Sequence, residues 1–180
     1  MIRLDASAWL NGAAPATDGK VVAVHAFQML CPGCVAHGIP QAVKLQQAFP
    51  ELVVIGLHSV FEHHDVMTPR ALEAFIHEYR LPFPVAVDRA LPGSPVPATM
   101  RHYELRGTPS LLLFDRAGQL RLNHFGGIDD LVLGGVIGRL LAEQPAAATA
   151  PVHGAAPRPP GSAPASGDAD CDAEGCTVPR

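Results

Sequence analysis

Short continuous apolar runs alternate along the chain with longer stretches in which apolar residues recur at helical spacing. The runs predict buried strands, because a strand covered on both faces is apolar throughout; they lie at residues 21–27, 52–57, 84–87 and 110–114. The longer stretches predict amphipathic helices that cover the strands; they lie at about 35–49, 69–79, 98–105 and 133–141. This alternation predicts an α/β domain in layers around a mixed central sheet.

A turn sequence follows the last of these strands. Residues 115–118, Asp-Arg-Ala-Gly, separate the apolar run 110–114 from a second strand-like stretch at 119–125. Two such stretches joined by a short glycine-containing turn predict a β-hairpin. The hairpin would make the sheet partly antiparallel.

The composition changes near Gln144. Residues 144–170 are mostly Pro, Ala, Gly, Ser and Thr, and such a segment cannot bury enough apolar surface to offset its ordering entropy. We therefore predict a folded domain at 1–143, a flexible linker at 144–170 and a disordered, cysteine-containing tail at 171–180.

Overall charge and hydrophobicity restrict the functional class. The formal net charge of −4 offers no basic field for nucleic acid, and no apolar run approaches the roughly 18–20 residues that span a bilayer. Residues 1–20 lack a signal-peptide pattern, because Arg3, Asp5 and Asn11 interrupt them. We expect a cytoplasmic monomer that uses no cofactor or metal and binds neither nucleic acid nor membrane.

Two cysteines in a C-x-x-C motif carry the candidate chemistry. Cys31-Pro32-Gly33-Cys34 directly follows a predicted strand and opens a predicted helix. A cysteine at a helix N-terminus is stabilised as the thiolate, which is the species that attacks disulfides. Cys31 is the predicted nucleophile, and Cys34, one turn later, is the predicted resolving thiol. A zinc site is the alternative, but zinc needs about four ligands and only His37 lies nearby in sequence.

Three segments resemble the thioredoxin superfamily, in the redoxin branch that includes TlpA-like thiol–disulfide oxidoreductases. Residues 20–27 lead into the C-x-x-C motif, Gly-Leu-His-Ser at 56–59 closes the second strand, and 103–110 contains Thr108-Pro109. The resemblance covers about residues 15–143. It implies a thioredoxin fold with a redoxin-type βα insertion, and disulfide exchange in cell redox homeostasis with protein or low-molecular-weight thiols and disulfides, sustained by a cellular reductant.

The resemblance also implies roles for residues around the dithiol. Pro109 would be cis and packed against the cysteine pair, an arrangement that costs an X-Pro bond only about 0.5–1 kcal/mol. The Thr108 backbone would then be free to pair with an extended substrate segment. Pro32 and Gly33, between the two cysteines, would contact the substrate.

The chain departs from the family pattern at three positions. Leu30 replaces the usual aromatic residue before the first cysteine, and Pro40 comes one residue later than usual after the second. His25 stands where relatives have a buried acid or an Asn. It is predicted either to accept the Cys34 proton or to be a core histidine bonded to a backbone carbonyl.

Particular residues also bear on other functions. In a soft-metal module, Cys31 and Cys34, alone or with the tail cysteines, would be the ligands of Cu(I) or Zn(II). Peroxiredoxin-like activity is disfavoured, because Gln28 stands at the position of the family's Thr. The cluster of His58, His63 and His64 with Glu62 and Asp65 is predicted to be a solvated loop rather than a metal site.

A second cysteine pair, Cys171 and Cys176, lies in the tail among Asp170, Asp172 and Glu174. A flexible linker of this length would let the pair reach Cys31 at millimolar effective concentration. An auxiliary redox role is predicted, with metal ligation and a passive tail as alternatives.

Overall fold

The computed structural model describes residues 2–143 and, in the tail, the strand residues Cys171–Asp172 and Gly175–Cys176. The predicted linker at 144–170 and the remainder of the predicted tail lie outside the described residues. The two described parts are separate units, divided at residue 147.

The first unit is built on a six-stranded mixed sheet, whose strands are β1 Ala6–Leu10, β2 Val22–Phe27, β3 Val53–His58, β4 Val85–Asp88, β5 Ser110–Phe114 and β6 Leu120–Phe125. Their order across the sheet is β1-β4-β3-β2-β5-β6. Strands β2, β3 and β4 are parallel, while β1, β5 and β6 are each antiparallel to the neighbour they join. The predicted mixed sheet and its terminal hairpin are confirmed.

Helices follow the strands as the sequence predicts, at α1 Ile39–Ala48, α2 Pro69–Glu78, α3 Ala98–His102 and α4 Asp130–Ala142. A π-helical turn, Cys34–Gly38, precedes α1. The predicted cap of α2 is present, because the Thr68 hydroxyl accepts a hydrogen bond from the Ala71 N–H at 3.3 Å. Asp129 caps α4 in the same way, accepting from the Leu131 and Val132 N–H groups.

The sheet separates two apolar layers. Alternate residues of β2 point to opposite faces, so Ala23 and Phe27 pack in the layer that contains Cys34, whereas Val24 and Ala26 pack in the other. Because both faces are covered, the strand is apolar throughout, which explains its continuous pattern in the sequence. The layer that contains Cys34 also receives the buried faces of α1, α2 and α4.

The structure differs from the sequence-based expectation at two places in this unit. Strand β1 was not predicted, because Ala-Ser-Ala-Trp-Leu is short and contains no β-branched residue; it is held at the sheet edge by antiparallel pairing with β4. Helix α3 ends at His102 rather than near residue 105. Glu104 has a φ of 52°, a left-handed conformation that cannot continue a helix.

The second unit is a pair of two-residue strands, β7 Cys171–Asp172 and β8 Gly175–Cys176. They are antiparallel, with Cys171 opposite Cys176 and Asp172 opposite Gly175. Across the described residues of both units, no helix is long and apolar enough to cross a membrane.

Candidate active site

Cys31 and Cys34 lie where β2 ends and the helical segment begins. Both are free thiols; Cys31 is half-buried and Cys34 is fully buried. The Cys34 N–H donates a hydrogen bond to Cys31 Sγ at 3.3 Å. This N–H belongs to the first helical turn, so it stabilises a thiolate at Cys31. The structure therefore brings the two predicted thiols together with the predicted geometry.

The environment of Cys34 holds its thiol in the protonated form. Burial, followed by the hydrogen bond with Cys31, raises the pKa of Cys34 to about 12. Cys34 is thus a neutral thiol near pH 7. Only Cys31 combines access to solvent with a helix N–H donor, which is the asymmetry expected between a nucleophilic and a resolving cysteine.

The Thr108–Pro109 bond is cis, as the resemblance implies. The Pro109 ring lies over the loop between the cysteines: a Cβ added to Gly33 would be 3.4 Å from Pro109 Cδ. Pro32 is exposed on the same loop. The cis segment is held by two hydrogen bonds, from the Gly126 N–H to Pro109 O at 2.8 Å and from the Ser110 hydroxyl to Gly107 O at 2.7 Å.

Thr108 presents its backbone beside the nucleophile. The Cys31 thiol donates to Thr108 O across 3.4 Å. Within residues 2–143 the Thr108 N–H forms no hydrogen bond. An extended peptide placed against this segment would therefore find an open donor next to the reactive sulfur.

The late position of Pro40 is explained by the π-helical turn. The Ile39 N–H donates to Cys34 O, five residues earlier, so the turn accommodates one more residue than an α-helical turn does. Pro40 then occupies the first turn of α1, where its missing N–H is not needed. The sequence signal for this turn was the spacing between Cys34 and Pro40.

Gly38, which the sequence analysis did not identify, ends this turn against His25. A Cβ at Gly38 would lie 2.4 Å from His25 Cε1, 2.5 Å from His25 Nε2 and 3.1 Å from Pro109 Cβ. No side chain fits in that space, so the imidazole, the helix and the cis-proline pack directly on one another.

His25 is only 4% exposed, and its Nε2 has no hydrogen-bond partner within the described residues. The expected bond from a core histidine to a backbone carbonyl is therefore not made by this atom. Burial lowers the pKa of His25 to about 4, so the imidazole is neutral at pH 7. An unpaired polar atom of this kind is costly to bury and needs a partner.

A small cavity next to His25 can supply that partner. It measures about 40 Å³ and is also lined by His37, Gly38, Gln41 and Pro109. Roughly 10–15 Å³ is enough to hold one water molecule. His37 also borders a neighbouring groove of about 320 Å³, which is lined by Lys44 and Asp130 as well.

His58 is a second buried histidine on the same side of the sheet. It is 1% exposed, its Nε2 has no partner within the described residues, and burial lowers its pKa to about 4. The Phe27 ring contacts both imidazoles, with centroids 6.3 Å from His25 and 5.3 Å from His58. In the loop that follows, His63 and His64 are exposed.

Metal binding and peroxide reduction would each need particular residues beside the two cysteines. No group of three or more His, Cys, Asp or Glu side chains in this part of the chain could hold a metal ion. Gln28 is buried, donates to Glu62 and accepts from the Phe61 N–H. It therefore places no hydroxyl beside Cys31, as a peroxidatic site would require. The side chains of Cys171 and Cys176 lie outside what the structure describes.

Exposed apolar side chains lie on the two segments that carry Cys31 and Thr108. Leu30, adjacent to Cys31, is 53% exposed, and Phe125 is 45% exposed. Phe125 belongs to the Thr108 segment, because its ring packs on Gly107 and the Arg106 guanidinium lies 5.5 Å from the ring centroid. We call Leu30, Pro32 and Phe125 the apolar rim.

Solved structures give a clear set of relatives, whereas no family model and no curated protein matches the chain. A thiol-disulfide isomerase from Corynebacterium glutamicum is 52% identical, with a TM-score of 0.77; the match covers 79% of this chain and 96% of that one. A thioredoxin-like superfamily protein is also 52% identical, with a TM-score of 0.76; the match covers 78% of this chain and 95% of that one. A putative thiol:disulfide interchange protein DsbE from Chlorobium tepidum is 25% identical, with a TM-score of 0.56; the match covers 69% of this chain and 82% of that one.

Proposed function

We propose, from the premise that this chain belongs to the thioredoxin superfamily and its redoxin branch, that Cys31 and Cys34 are its redox centre and that proteins are its substrates. The chain is a thioredoxin-like disulfide oxidoreductase. The observation that carries the proposal is the donation of the Cys34 N–H to Cys31 Sγ, from a buried to an accessible cysteine.

The reaction consists of two exchanges. The Cys31 thiolate attacks one sulfur of a substrate disulfide, a Cys31–substrate disulfide forms, and the other substrate sulfur leaves as a thiolate that takes a proton. Cys34 then loses its proton and attacks Cys31 Sγ. The mixed disulfide breaks, the second substrate thiolate leaves, and the Cys31–Cys34 disulfide remains. Two electrons pass from the enzyme to the substrate, and a cellular dithiol returns the enzyme to its reduced form.

His25 is proposed to relay the Cys34 proton. It lies against Gly38, one turn after Cys34, on the sheet face that also carries Cys34. Burial lowers the pKa of His25, so at pH 7 the imidazole is neutral and has a lone pair free to take the proton. It passes the proton to a water in the adjoining cavity, which His37 borders on the outside.

The apolar rim favours protein substrates over low-molecular-weight disulfides. A small charged disulfide gains little from Leu30 and Phe125, whereas an extended protein segment can bury both while it pairs with Thr108. We also propose a cytoplasmic location, because a C-x-x-C pair in a reducing compartment is more often catalytic than structural, and a monomer; cell fractionation and light scattering would test the two proposals.

The experiment uses insulin as a protein disulfide and dithiothreitol as reductant. C31S should lose the accelerated reduction entirely, because no nucleophile replaces Cys31. C34S should accumulate a Cys31–insulin disulfide visible on a non-reducing gel, because the resolving thiol is absent. Full activity in C31S would contradict the proposed centre.

The relay is tested by separating the two exchanges in H25N. Formation of the mixed disulfide should be unchanged, whereas its resolution by Cys34 should slow by roughly 10²-fold near pH 7. The difference should shrink as pH rises and hydroxide removes the Cys34 proton directly. Equal slowing at all pH values would indicate a packing role instead.

A further inference from the structure

An exposed arginine lies next to the backbone that is open to a substrate. Arg106 precedes Thr108 by two residues, so their Cα atoms are at most about 7 Å apart. Thr108 O is in turn 3.4 Å from Cys31 Sγ. We propose that Arg106 selects the substrate, by binding a carboxylate about two residues from the cysteine that Cys31 attacks, so that acidic protein segments are preferred. This selection rests on the proposed function of Cys31 and Cys34.

The guanidinium of Arg106 is held in place by an aromatic ring. Its Cζ lies 5.5 Å from the centroid of the Phe125 ring, within the roughly 6 Å of a cation–π contact. The ring packs against Gly107, where an added Cβ would lie 2.8 Å from Phe125 Cε2. The missing side chain of Gly107 therefore leaves room for the ring, and the ring fixes the cation beside the substrate segment. A side chain that is already ordered loses less entropy when it binds a ligand.

Arg106 has no anionic partner in the described domain. Within residues 2–143 it takes part in no ion pair, and its guanidinium donates no hydrogen bond. Other arginines are occupied: Arg89 donates two hydrogen bonds to the Asp5 carboxylate. Arg121 donates two to the Glu143 carboxylate. The guanidinium of Arg106 offers the same planar set of donors to a carboxylate from outside the domain.

The spacing along an extended substrate matches the position of Arg106. A segment that pairs with the Thr108 backbone would run alongside residues 106–108, and every second side chain of it projects from the same face, about 6.6–6.8 Å apart. When the substrate cysteine lies at Cys31, a residue two positions away therefore comes alongside Arg106. An aspartate or glutamate there can accept two hydrogen bonds from the guanidinium, whereas a lysine would meet a like charge.

The test measures selectivity, because a cation–π contact that only stabilises the fold would not change which substrate is preferred. Three peptide disulfides are compared, each a symmetric dimer linked at one central cysteine, with Asp, Asn or Lys two residues before and two residues after it. The protein reduces them with dithiothreitol as reductant. Each kcat/KM is divided by the rate of the same peptide with dithiothreitol alone, which removes differences in intrinsic reactivity.

The wild type should prefer the Asp peptide to the Lys peptide by about tenfold at low salt, with the Asn peptide between them. High salt should reduce this preference, because it screens an exposed ion pair. R106Q should lower the preference to about twofold or less, whereas R106K, which keeps the positive charge, should retain most of it. R106E should invert it and make the Lys peptide the better substrate, a result that loss of packing alone cannot produce.

Arg101→Gln is the matched control. It removes one positive charge from the neighbouring helix α3, but the Arg101 guanidinium donates to Ser94 Oγ at 2.8 Å, so the preference should not change. Equal normalised kcat/KM for the Asp and Lys peptides in the wild type would overturn the inference, as would an equal loss of preference in R101Q and R106Q. Failure of the wild type to accelerate the reduction of any peptide would instead contradict the proposed function, so the two failures are distinguishable.

Discussion

The buried imidazole of His25 lies directly on Gly38, so close that a Cβ at that glycine would be 2.5 Å from His25 Nε2. This contact joins the second strand of the sheet to the turn that carries Cys34. Pro109 borders the same space, because its Cβ would lie 3.1 Å from a Cβ added at Gly38. The proposed proton relay and the packing of the dithiol turn therefore depend on one small space.

Gly38→Ala should destabilise the protein by about 1–3 kcal/mol, because the added methyl overpacks a filled site. Gly138→Ala is the matched control: it lies within α4 with open space around it and should be neutral or stabilising by up to about 1 kcal/mol. Both are measured by urea unfolding. H25A should relieve most of the loss in the H25A/G38A double variant. A G38A protein as stable as wild type would contradict the packing.

The stability of the protein should fall as pH decreases from about 6.5 towards 4. Burial lowers the pKa of both His25 and His58 to about 4, from 6.5. The folded state therefore excludes protons that the unfolded state binds below pH 6.5. The stabilisation is complete above pH 6.5 and is lost progressively as pH falls to 4, by roughly 3 kcal/mol for each histidine.

The measurement is the free energy of unfolding in urea at several pH values from 7.5 to 4.5. H58N should reduce the slope of stability against pH, since it removes one of the two excluded protons. H77N is the control, because His77 is exposed. An equal slope in wild type and H58N would show that His58 does not contribute.

Phe125→Ala should weaken the recognition of protein substrates selectively. Phe125 is 45% exposed beside Gly107, and loss of a partly buried aromatic contact of about 1 kcal/mol should raise KM for insulin several-fold. Reduction of oxidised glutathione should be nearly unchanged. Leu120→Ala is the control on the other end of β6, where Leu120 is 41% exposed. An equal effect of F125A and L120A on KM would remove Phe125 from the substrate surface.

Those parts of the site that depend on neighbouring residues could be predicted from the sequence. Three such parts are the Cys31–Cys34 motif, the strand before it and the Thr108-Pro109 step. Each is a short run of consecutive residues, so its chemistry can be read directly from the sequence. Residues that meet only through the fold could not be predicted. Phe125 reaches Gly107 because β6 pairs with β5, and Gly38 meets His25 because the π-helical turn sets the phase of the helix against β2.

Edge strand β1 illustrates the same limit. Its residues carry no strong strand signal, and Trp9 is held in place by pairing opposite Ala86 of β4. The end of α3 is likewise set by the backbone of Glu104. Its positive φ could not be predicted from the residue pattern. In both places the tertiary environment determined the local structure.

The most direct test of the account is the order in which the two cysteines of the centre are alkylated. Reduced full-length protein is treated with limiting iodoacetamide at pH 7, and the modified peptides are quantified by mass spectrometry. Cys31 should be modified well before Cys34, because Cys31 is accessible and receives the Cys34 N–H, whereas burial raises the pKa of Cys34 to about 12. Modification of Cys34 first, or of both at equal rates, would contradict the assignment of Cys31 as the nucleophile.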